Sequence, residues 1–409
     1  MNLIVTSSFV LVSALLSAVL LPTTLLRAQT AEPAPSSVAQ ANAGANTVAA
    51  LAQQSFVSIA RATRPSVVTV RAYVRAEAAQ KPADSGENGT QTGGWVETEA
   101  KDYPGYRLVG GGSGFVVDAG GDILTCQHLL QRPDGALADL FDVELHDGSR
   151  VVCELVGVEP TVNLAILHTM VFPNGHSRQL QALKFGDSDL MECGQWVFGA
   201  GDPIGPEKFF AVGTFIAMPT RDCYQDYLSA FHLQAAMVVH PGAHGGPMVN
   251  LAGEVIGMLA PAKPKPGGVG VERSLGIEFA EPSKILAGLY DSIRQVRSFQ
   301  SPWFGFSVMS RPEIASERGL EAFQAMDKPR AGILIENVFR GSPADLAGVQ
   351  PGDWLVGFDA ARIFVPVDFQ KNLYLAGIGK TVELEFYRKG ETRKVKITVE
   401  KRPQEAKPR

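Results

Sequence analysis

The chain has 409 residues, 45% of them hydrophobic, which is enough for two or three domains with ordinary cores. Its formal net charge of −5 offers no basic surplus to neutralise phosphates, which argues against nucleic acid as a partner. The four cysteines are too few for a disulfide scaffold and contain no Cys-x-x-Cys pair. Buried free thiols are favoured over the alternative of one or two disulfides.

The first 30 residues have the pattern of an export signal. Residues 3–26 are apolar or small and uncharged, and polar residues follow from Arg27. We expect cleavage before Ala31, which would place the protein in the periplasm or outside the cell. The apolar run is long enough to cross a bilayer, and no Lys or Arg precedes it, so the alternative is an uncleaved N-terminal membrane anchor. Residues 31–53 are rich in small and polar residues and nearly uncharged, which predicts a flexible linker.

Residues 54–297 predict a mainly β domain. Residues 56–64 have apolar positions at helical spacing and stop at Pro65, residues 66–74 alternate as a strand, and residues 77–107 read as a long polar loop. Short strands separated by Gly, Asp and Pro then follow at 114–118, 123–125, 142–145, 151–156, 164–168, 196–198, 210–213 and 255–258. Strands this short and numerous predict a barrel or sandwich. A helix is predicted after them, over residues 283–296.

Residues 298–404 predict a second, smaller α+β domain. A short helix at 341–348 carries its own boundaries, with Ser342 as N-cap, Pro343 at the first helical position and Gly348 as the stop. A strand at 353–358, an amphipathic helix at 367–375 and strands at 381–387 and 394–399 complete this domain. Residues 405–409 are predicted to form a disordered tail.

A family resemblance rests on motifs that occur in a fixed order. Residues 240–250, His-Pro-Gly-Ala-His-Gly-Gly-Pro-Met-Val-Asn, resemble the nucleophile loop of trypsin-like serine proteases. They follow Ile-Leu-Thr-Cys-Gln-His at 123–128, Val-Asn-Leu-Ala-Ile-Leu at 162–167 and Gly-x-Gly-Asp-Pro-Ile-Gly at 199–205. Together these motifs resemble the HtrA (DegP-like) family. The resemblance implies a mainly β fold, with a trypsin-like double β-barrel followed by a small α+β PDZ domain.

Two of the three catalytic side chains of that family are replaced in this chain. The motifs place His128 at the histidine position, Asn163 at the aspartate position and His244 at the serine position. Serine-protease chemistry needs an oxygen nucleophile and a carboxylate that supports the imidazole, and changing that carboxylate to an amide costs about 10⁴ in rate in trypsin. The oxyanion-type loop would comprise Gly242, Ala243 and His244, with the N–H groups of Gly242 and His244 as donors.

Other readings of the site remain open at this level. Ser188 follows Gly-Asp, and Cys126 lies near His128, but we interpret both as structural residues. His128 and His244 could bind zinc or copper if a third ligand joined them, and His240 is expected to point elsewhere. A packed or hydrogen-bonded histidine pair is favoured, and we expect no metal and no cofactor.

The PDZ resemblance implies a site for peptides. It rests on Trp303, Phe304, Gly305 and Phe306, on Gly-Ile-Leu-Ile at 332–335 and on the segment 341–353. In PDZ domains, backbone N–H groups of the loop before an edge strand bind a C-terminal carboxylate, and the peptide adds as a further strand, here beside residues 306–309.

The sequence therefore predicts an exported HtrA-like pseudoprotease. We expect it to bind polypeptide C-termini or unfolded segments, through its PDZ domain and inactive cleft, as a scaffold, chaperone or regulator in protein quality control. The family resemblance also implies a homo-trimer, with Phe56 and its neighbours as candidate contacts. The alternatives are an active serine-type endopeptidase with an atypical site, or a metal site at His128 and His244.

Overall fold

The computed structural model describes residues 37–76, 102–160, 162–170, 179–204, 208–217, 232–261, 276–296 and 301–403. The predicted export signal (1–30), most of the predicted loop over 77–107, the 405–409 tail and Cys223 lie outside the described residues. In the part of the chain that is described, no helix combines the length and apolar character needed to span a bilayer.

The described chain begins with a long helix, α1 (Ser37–Thr63). It covers residues 37–53, so the prediction of an unstructured linker needs correction there. Seven of these residues are alanines, and alanine has the strongest intrinsic preference for the helix. The helix gives way to a short 3-10 turn at Arg64–Ser66, because Pro65 disfavours helical backbone in the residue before it.

The first barrel is closed by six antiparallel strands in the order β1-β2-β3-β6-β5-β4. Their bounds are β1 (Val67–Arg75), β2 (Tyr106–Val116), β3 (Asp122–Cys126), β4 (Leu140–Glu144), β5 (Arg150–Glu159) and β6 (Leu164–Thr169). Aliphatic side chains from all six strands fill the interior, because alternate residues of each strand point inward.

The second barrel repeats this design in the order β10-β11-β12-β9-β8-β7. Its strands are β7 (Trp196–Gly201), β8 (Phe209–Ala217), β9 (Leu233–Ala236), β10 (Pro247–Val249), β11 (Val255–Leu259) and β12 (Ile277–Pro282). The helix α2 (Ser283–Val296) follows directly, at the predicted position. The predicted double β-barrel is confirmed.

The C-terminal domain is built on a sheet with the order β14-β15-β16-β18-β19, in which β14 is an edge strand and β17 pairs with β16. Strands β13 and β20 form a separate pair. The elements in chain order are β13 (Pro302–Trp303), β14 (Phe306–Met309), α3 (Arg311–Arg318), α4 (Leu320–Ala325), β15 (Ile333–Val338), α5 (Pro343–Leu346), β16 (Trp354–Phe358), β17 (Ala361–Arg362), α6 (Pro366–Ala376), β18 (Thr381–Arg388), β19 (Glu391–Thr398) and β20 (Glu400–Lys401).

Helix α6 joins the C-terminal domain to the barrels. The Lys371 ammonium lies 2.6 Å from Oδ1 of Asp189, in the loop before β7. The Tyr374 hydroxyl donates to Oε1 of Glu159, at the end of β5, over 3.3 Å. One helix of the C-terminal domain is thus held against both barrels.

Candidate active-site cleft and peptide groove

His128 and Asn163 are positioned by adjacent strands. Strand β3 ends at Cys126 and leads into the 3-10 helix Gln127–Leu130, which carries His128. Asn163 is the last residue of the turn between β5 and β6, with a φ of 53°. Asparagine is one of the few residues that accept this left-handed conformation at low cost. Because Cys126 pairs with Leu164 in the sheet, the two side chains meet at one end of the first barrel.

The Asn163 side chain orients the imidazole of His128. Its Oδ1 accepts the backbone N–H of His128 at 3.0 Å and lies 3.2 Å from Nδ1 of the ring, and its Nδ2 lies 2.8 Å from the same ring nitrogen. When Nδ2 donates to Nδ1, the proton of the neutral imidazole lies on Nε2. A general base needs a free lone pair on Nε2 and therefore a proton on Nδ1, and the Asn163 amide, which offers Nδ1 an acceptor as well as a donor, does not impose that tautomer as a carboxylate would.

The loop that carries His244 is tied to the first barrel through Ser113. Ser113 N–H donates to the carbonyl oxygen of His244 at 3.0 Å, and the Ser113 hydroxyl donates to that of Gly242 at 2.7 Å. Gly245 follows with a φ of 87°, and a Cβ there would lie 2.1 Å from the Ser113 carbonyl oxygen. The close contact therefore requires glycine. In this arrangement the ring centroids of His244 and His128 lie 6.4 Å apart, with an angle of 70° between the ring planes.

One of the two expected oxyanion donors is already occupied. The residues Pro241–Ala243 form a 3-10 turn, and Nδ1 of His240, its N-cap, accepts the N–H of Gly242 at 3.0 Å. The N–H of His244 donates to no acceptor among the described residues. The His240 ring thus folds back onto its own loop and takes up the Gly242 donor, a role that the sequence did not reveal.

Sequence reasoning missed Glu278. Its carboxylate on β12 lies 3.9 Å from Nε2 of His244, and both side chains are 19% exposed. The two residues belong to segments that only the closure of the second barrel brings together, so no local pattern signals the pair. Strand β12 contains two acidic residues, Glu278 and Glu281, and its sequence does not show which of them faces His244.

The hydroxyl and thiol groups around the cleft are buried and engaged. The Cys126 thiol contacts the Leu259 carbonyl oxygen, and the Thr125 hydroxyl donates to that of Ser113 at 2.7 Å. Ser188 is fully buried beside α2, where its hydroxyl accepts the N–H of Lys284. Within the described ranges, no group of three or more His, Cys, Asp or Glu residues is arranged to hold a metal ion.

The C-terminal domain presents a different kind of site. The segment Trp303, Phe304 and Gly305 precedes edge strand β14, and the N–H groups of Phe304 and Gly305 have no acceptor in the part of the chain that is described. Gly305 has a φ of 94°, and a Cβ there would lie 2.0 Å from the Cβ of Ser342. The backbone can therefore take this conformation only with glycine.

Aromatic rings line the space between β14 and α6. The ring of Phe306 lies 5.1 Å from that of Phe369 on α6 and 6.0 Å from that of Phe304, measured between centroids. The Phe358 ring also belongs to this cluster, with its centroid 5.9 Å from that of Phe304. An open strand edge thus lies next to unpaired backbone donors, and the aromatic cluster packed behind it is at most 9% exposed.

Known protein families match both parts of the chain. The model of the trypsin-like peptidase domain matches residues 112–258, and that of the PDZ domain matches residues 275–399. A probable periplasmic serine endoprotease DegP-like of Marinomonas sp. (strain MWYL1) is 31% identical over 300 residues, which is 72% of this chain and 58% of that protein. The protein of the same description from Halomonas elongata is 31% identical over 294 residues, 70% of this chain and 56% of its own length. The chain therefore spans somewhat more than half the length of these relatives.

Solved structures share the fold. The HtrA-type protease AlgW with decapeptide superposes with a TM-score of 0.60 at 23% identity, over 86% of this chain and 99% of that one. The serine endoprotease from Yersinia pestis gives a TM-score of 0.53 at 18% identity, over 85% and 98%. At these identities the likeness concerns the arrangement of barrels and PDZ domain, and the chemistry has to be argued from the residues of the cleft.

Proposed function

Because the chain belongs to the HtrA (DegP-like) family of trypsin-like serine proteases with a PDZ domain, we propose that it is an exported pseudoprotease that binds polypeptides without cleaving them. The observation that carries this proposal is the imidazole of His244 at the nucleophile position, 6.4 Å from the His128 ring. An imidazole there offers no hydroxyl that could form an acyl-enzyme.

The residues around His244 support the loss of catalysis independently. Asn163 is neutral, so it carries no charge that would stabilise an imidazolium at His128, and its amide offers Nδ1 a donor as well as an acceptor, so it does not impose the tautomer that a general base needs. The Gly242 N–H donates to His240, so it is withdrawn from stabilising an oxyanion. Nucleophile, base and oxyanion donor are thus altered together, and restoring one of them would leave the other two defective.

Peptide capture by the PDZ domain is the binding half of the proposal. Edge strand β14 offers an unpaired backbone edge, the N–H groups of Phe304 and Gly305 would receive a terminal carboxylate, and the ring of Phe369 would contact its last side chain. AlgW, a structural neighbour, has been solved with a decapeptide. We infer the same ligand class here, C-termini or unfolded segments, with the cleft between the barrels as a second binding surface. Such a protein would act as a scaffold, chaperone or regulator in protein quality control.

The export signal and the names of the relatives favour a periplasmic location.

A homo-trimer would explain an aromatic cluster at the surface of the second barrel. The Phe56 ring lies 4.7 Å from that of Trp196, which is 41% exposed although it is a large apolar residue. Sedimentation of the wild-type chain and of Trp196→Ala tests this. A concentration-independent monomer would contradict the trimer.

The loss of catalysis is tested with a fluorophosphonate probe and with casein cleavage by the purified full chain, beside an active DegP-like protease as positive control. We expect no serine to be labelled and no casein to be cleaved above the blank. Labelling of Ser113 or Ser188, or cleavage that the probe abolishes, would overturn the proposal in favour of an atypical endopeptidase.

Peptide binding is tested by fluorescence anisotropy with a peptide that ends in an apolar residue. The same peptide with an amidated C-terminus is the matched control, because it cannot present a carboxylate to the N–H groups of Phe304 and Gly305. We expect binding of the free acid to exceed that of the amide. Equal affinities would show that the PDZ loop is not the site of capture.

A further inference from the structure

The position of Glu278 in the second barrel points to a charge preference of the cleft. Glu278 pairs across the sheet with Ala235, and Ala280, two residues later on the same face of β12, pairs with Leu233. Ala235, Leu233 and Ala280 all lie in the core of the second barrel. Because cross-strand partners share a face, the Glu278 side chain is on the interior face, at the end where the barrel opens toward His244.

The Glu278 carboxylate is poorly satisfied in this position. Its contact with Nε2 of His244 is 3.9 Å long, which exceeds a hydrogen bond. Among the described residues no other group donates to it. A carboxylate that is 19% exposed has lost much of its hydration, and only a closely paired cation or good donors restore that loss. A cation with N–H donors that entered the cleft would therefore stabilise the Glu278 carboxylate.

We propose that Glu278 makes the cleft select polypeptide segments that carry a lysine or arginine side chain. An ammonium or guanidinium entering beside His244 would make N–H···O contacts shorter than the existing one, and a forked guanidinium could reach both carboxylate oxygens. An acidic side chain would meet repulsion, and an apolar one would leave the carboxylate buried and unpaired. This inference rests on the proposed binding of polypeptides in the cleft and assigns the class of segment that binds there.

The test uses the full chain and a series of peptides with amidated C-termini, which do not engage the carboxylate loop of the PDZ domain. The peptides differ at one central position, occupied by Arg, Gln or Glu in an otherwise neutral sequence, and binding is followed by fluorescence anisotropy. We expect the Arg peptide to bind at least about tenfold more tightly than the Gln peptide, as hydrogen bonds to charged groups imply. The Glu peptide should bind most weakly.

Two variants locate the preference. In Glu278→Gln the advantage of Arg over Gln should disappear, and in Glu278→Lys the order should invert toward the Glu peptide. The matched control is Glu192→Gln, an exposed glutamate on the same barrel, which should keep the wild-type order. The charge reversal gives a positive signal, so a general loss of fold cannot imitate it.

The outcomes separate this inference from the function on which it rests. If all three peptides bind equally to the wild-type chain, or if Glu278→Gln retains the Arg preference, the assignment to Glu278 is overturned and binding in the cleft stands. If none of the peptides binds, while the free-acid peptide still binds the PDZ domain, binding in the cleft is overturned and this inference with it.

Discussion

The cleft and the PDZ groove show how differently catalysis and binding depend on side chains. In the cleft, function in the family requires particular atoms, and the chain has an imidazole, an amide and an occupied donor in their place. In the groove, the proposed site consists of a strand edge, two backbone N–H groups and aromatic rings. Such a site survives wherever the backbone keeps its shape, so binding can outlast chemistry.

The scaffold around His128 and His244 supports this comparison. Ser113 still ties the loop 240–245 to the first barrel, and Gly245 still permits the close approach of the two backbones. The substitutions lie at residues that would touch the reacting atoms, whereas the contacts that shape the loop are intact. The structure therefore separates the architecture of the site from its chemistry, and substitutions can address each of them.

The largest effect is expected from rebuilding the chemistry. Asn163→Asp with His244→Ser supplies acid and nucleophile but leaves the Gly242 N–H donating to His240. Adding His240→Ala removes that acceptor and frees the donor. Because one oxyanion donor is worth about 10²–10³ in rate, the triple variant should hydrolyse an activated ester at least about 10²-fold faster than the double variant. Single-turnover kinetics measure this.

The matched control for His240→Ala is His240→Asn in the same double background. Asparagine is a strong N-cap acceptor, so it should keep the Gly242 N–H occupied and the rate low. If the double variant is already as fast as the triple variant, the His240 contact does not limit the site. Inactivity of all three variants would mean that the cleft differs from an active one in more than these residues.

The next effect concerns the groove and should leave the cleft untouched. In Gly305→Ala, a methyl group would overlap the Cβ of Ser342 at 2.0 Å in a backbone with φ of 94°, so the carboxylate loop must move. We expect the free-acid peptide to lose at least about tenfold in affinity, about 1.4 kcal/mol, by anisotropy. The amidated Arg peptide should bind as before.

Gly390→Ala provides the control for backbone strain. Gly390 has a comparable φ of 85° in the turn between β18 and β19, but nothing lies within 4 Å of a Cβ there. This variant should lose some stability and keep its peptide affinity. If both alanine variants weaken binding equally, the effect comes from general strain in the domain and the loop is not the carboxylate site.

The sequence predicts backbone-determined features better than the contacts of the site. Alternating strands predicted a barrel or sandwich, and the resemblance carried by the ordered motifs implied two barrels. Local patterns also predicted the helix over 283–296 and the N-cap Ser342, which accepts the Asp345 N–H. Helix α3 was missed, although Ser310 and Glu313 form a capping box that the spacing Ser-x-x-Glu could have indicated. Histidine is an unusual N-cap, so no sequence pattern pointed to the contact of His240 with Gly242. The pairing of Glu278 with His244 follows only from the closure of the second barrel.

The smallest effect tests whether groove and barrels are coupled through Asp189. Burial raises the pKa of this carboxyl, but hydrogen bonds from Lys371 on α6 and from Lys284 outweigh burial, so its pKa is lowered from 3.8. A depressed pKa in the folded state means that Asp189 stabilises the fold above its unfolded pKa and that this contribution is lost as the pH falls through the folded value. The side chains of Asp189 and Lys371 are 29% and 24% exposed, so screening limits the contribution to about 1 kcal/mol or less.

Asp189→Asn should therefore unfold at a lower temperature than the wild type near pH 7, and the difference should shrink as the pH falls below 3.8. Glu383→Gln is the control, since Glu383 pairs with Lys394 inside the C-terminal domain and makes no link to the barrels. Hydrogen exchange of α6 should rise only in Asp189→Asn, because there the helix loses the ion pair of Lys371 and keeps the contact of Tyr374 with Glu159. If hydrogen exchange of α6 is unchanged and the free-acid peptide binds normally, the structure of the groove does not depend on the barrels. Peptide binding by the PDZ domain would then be independent of the barrels.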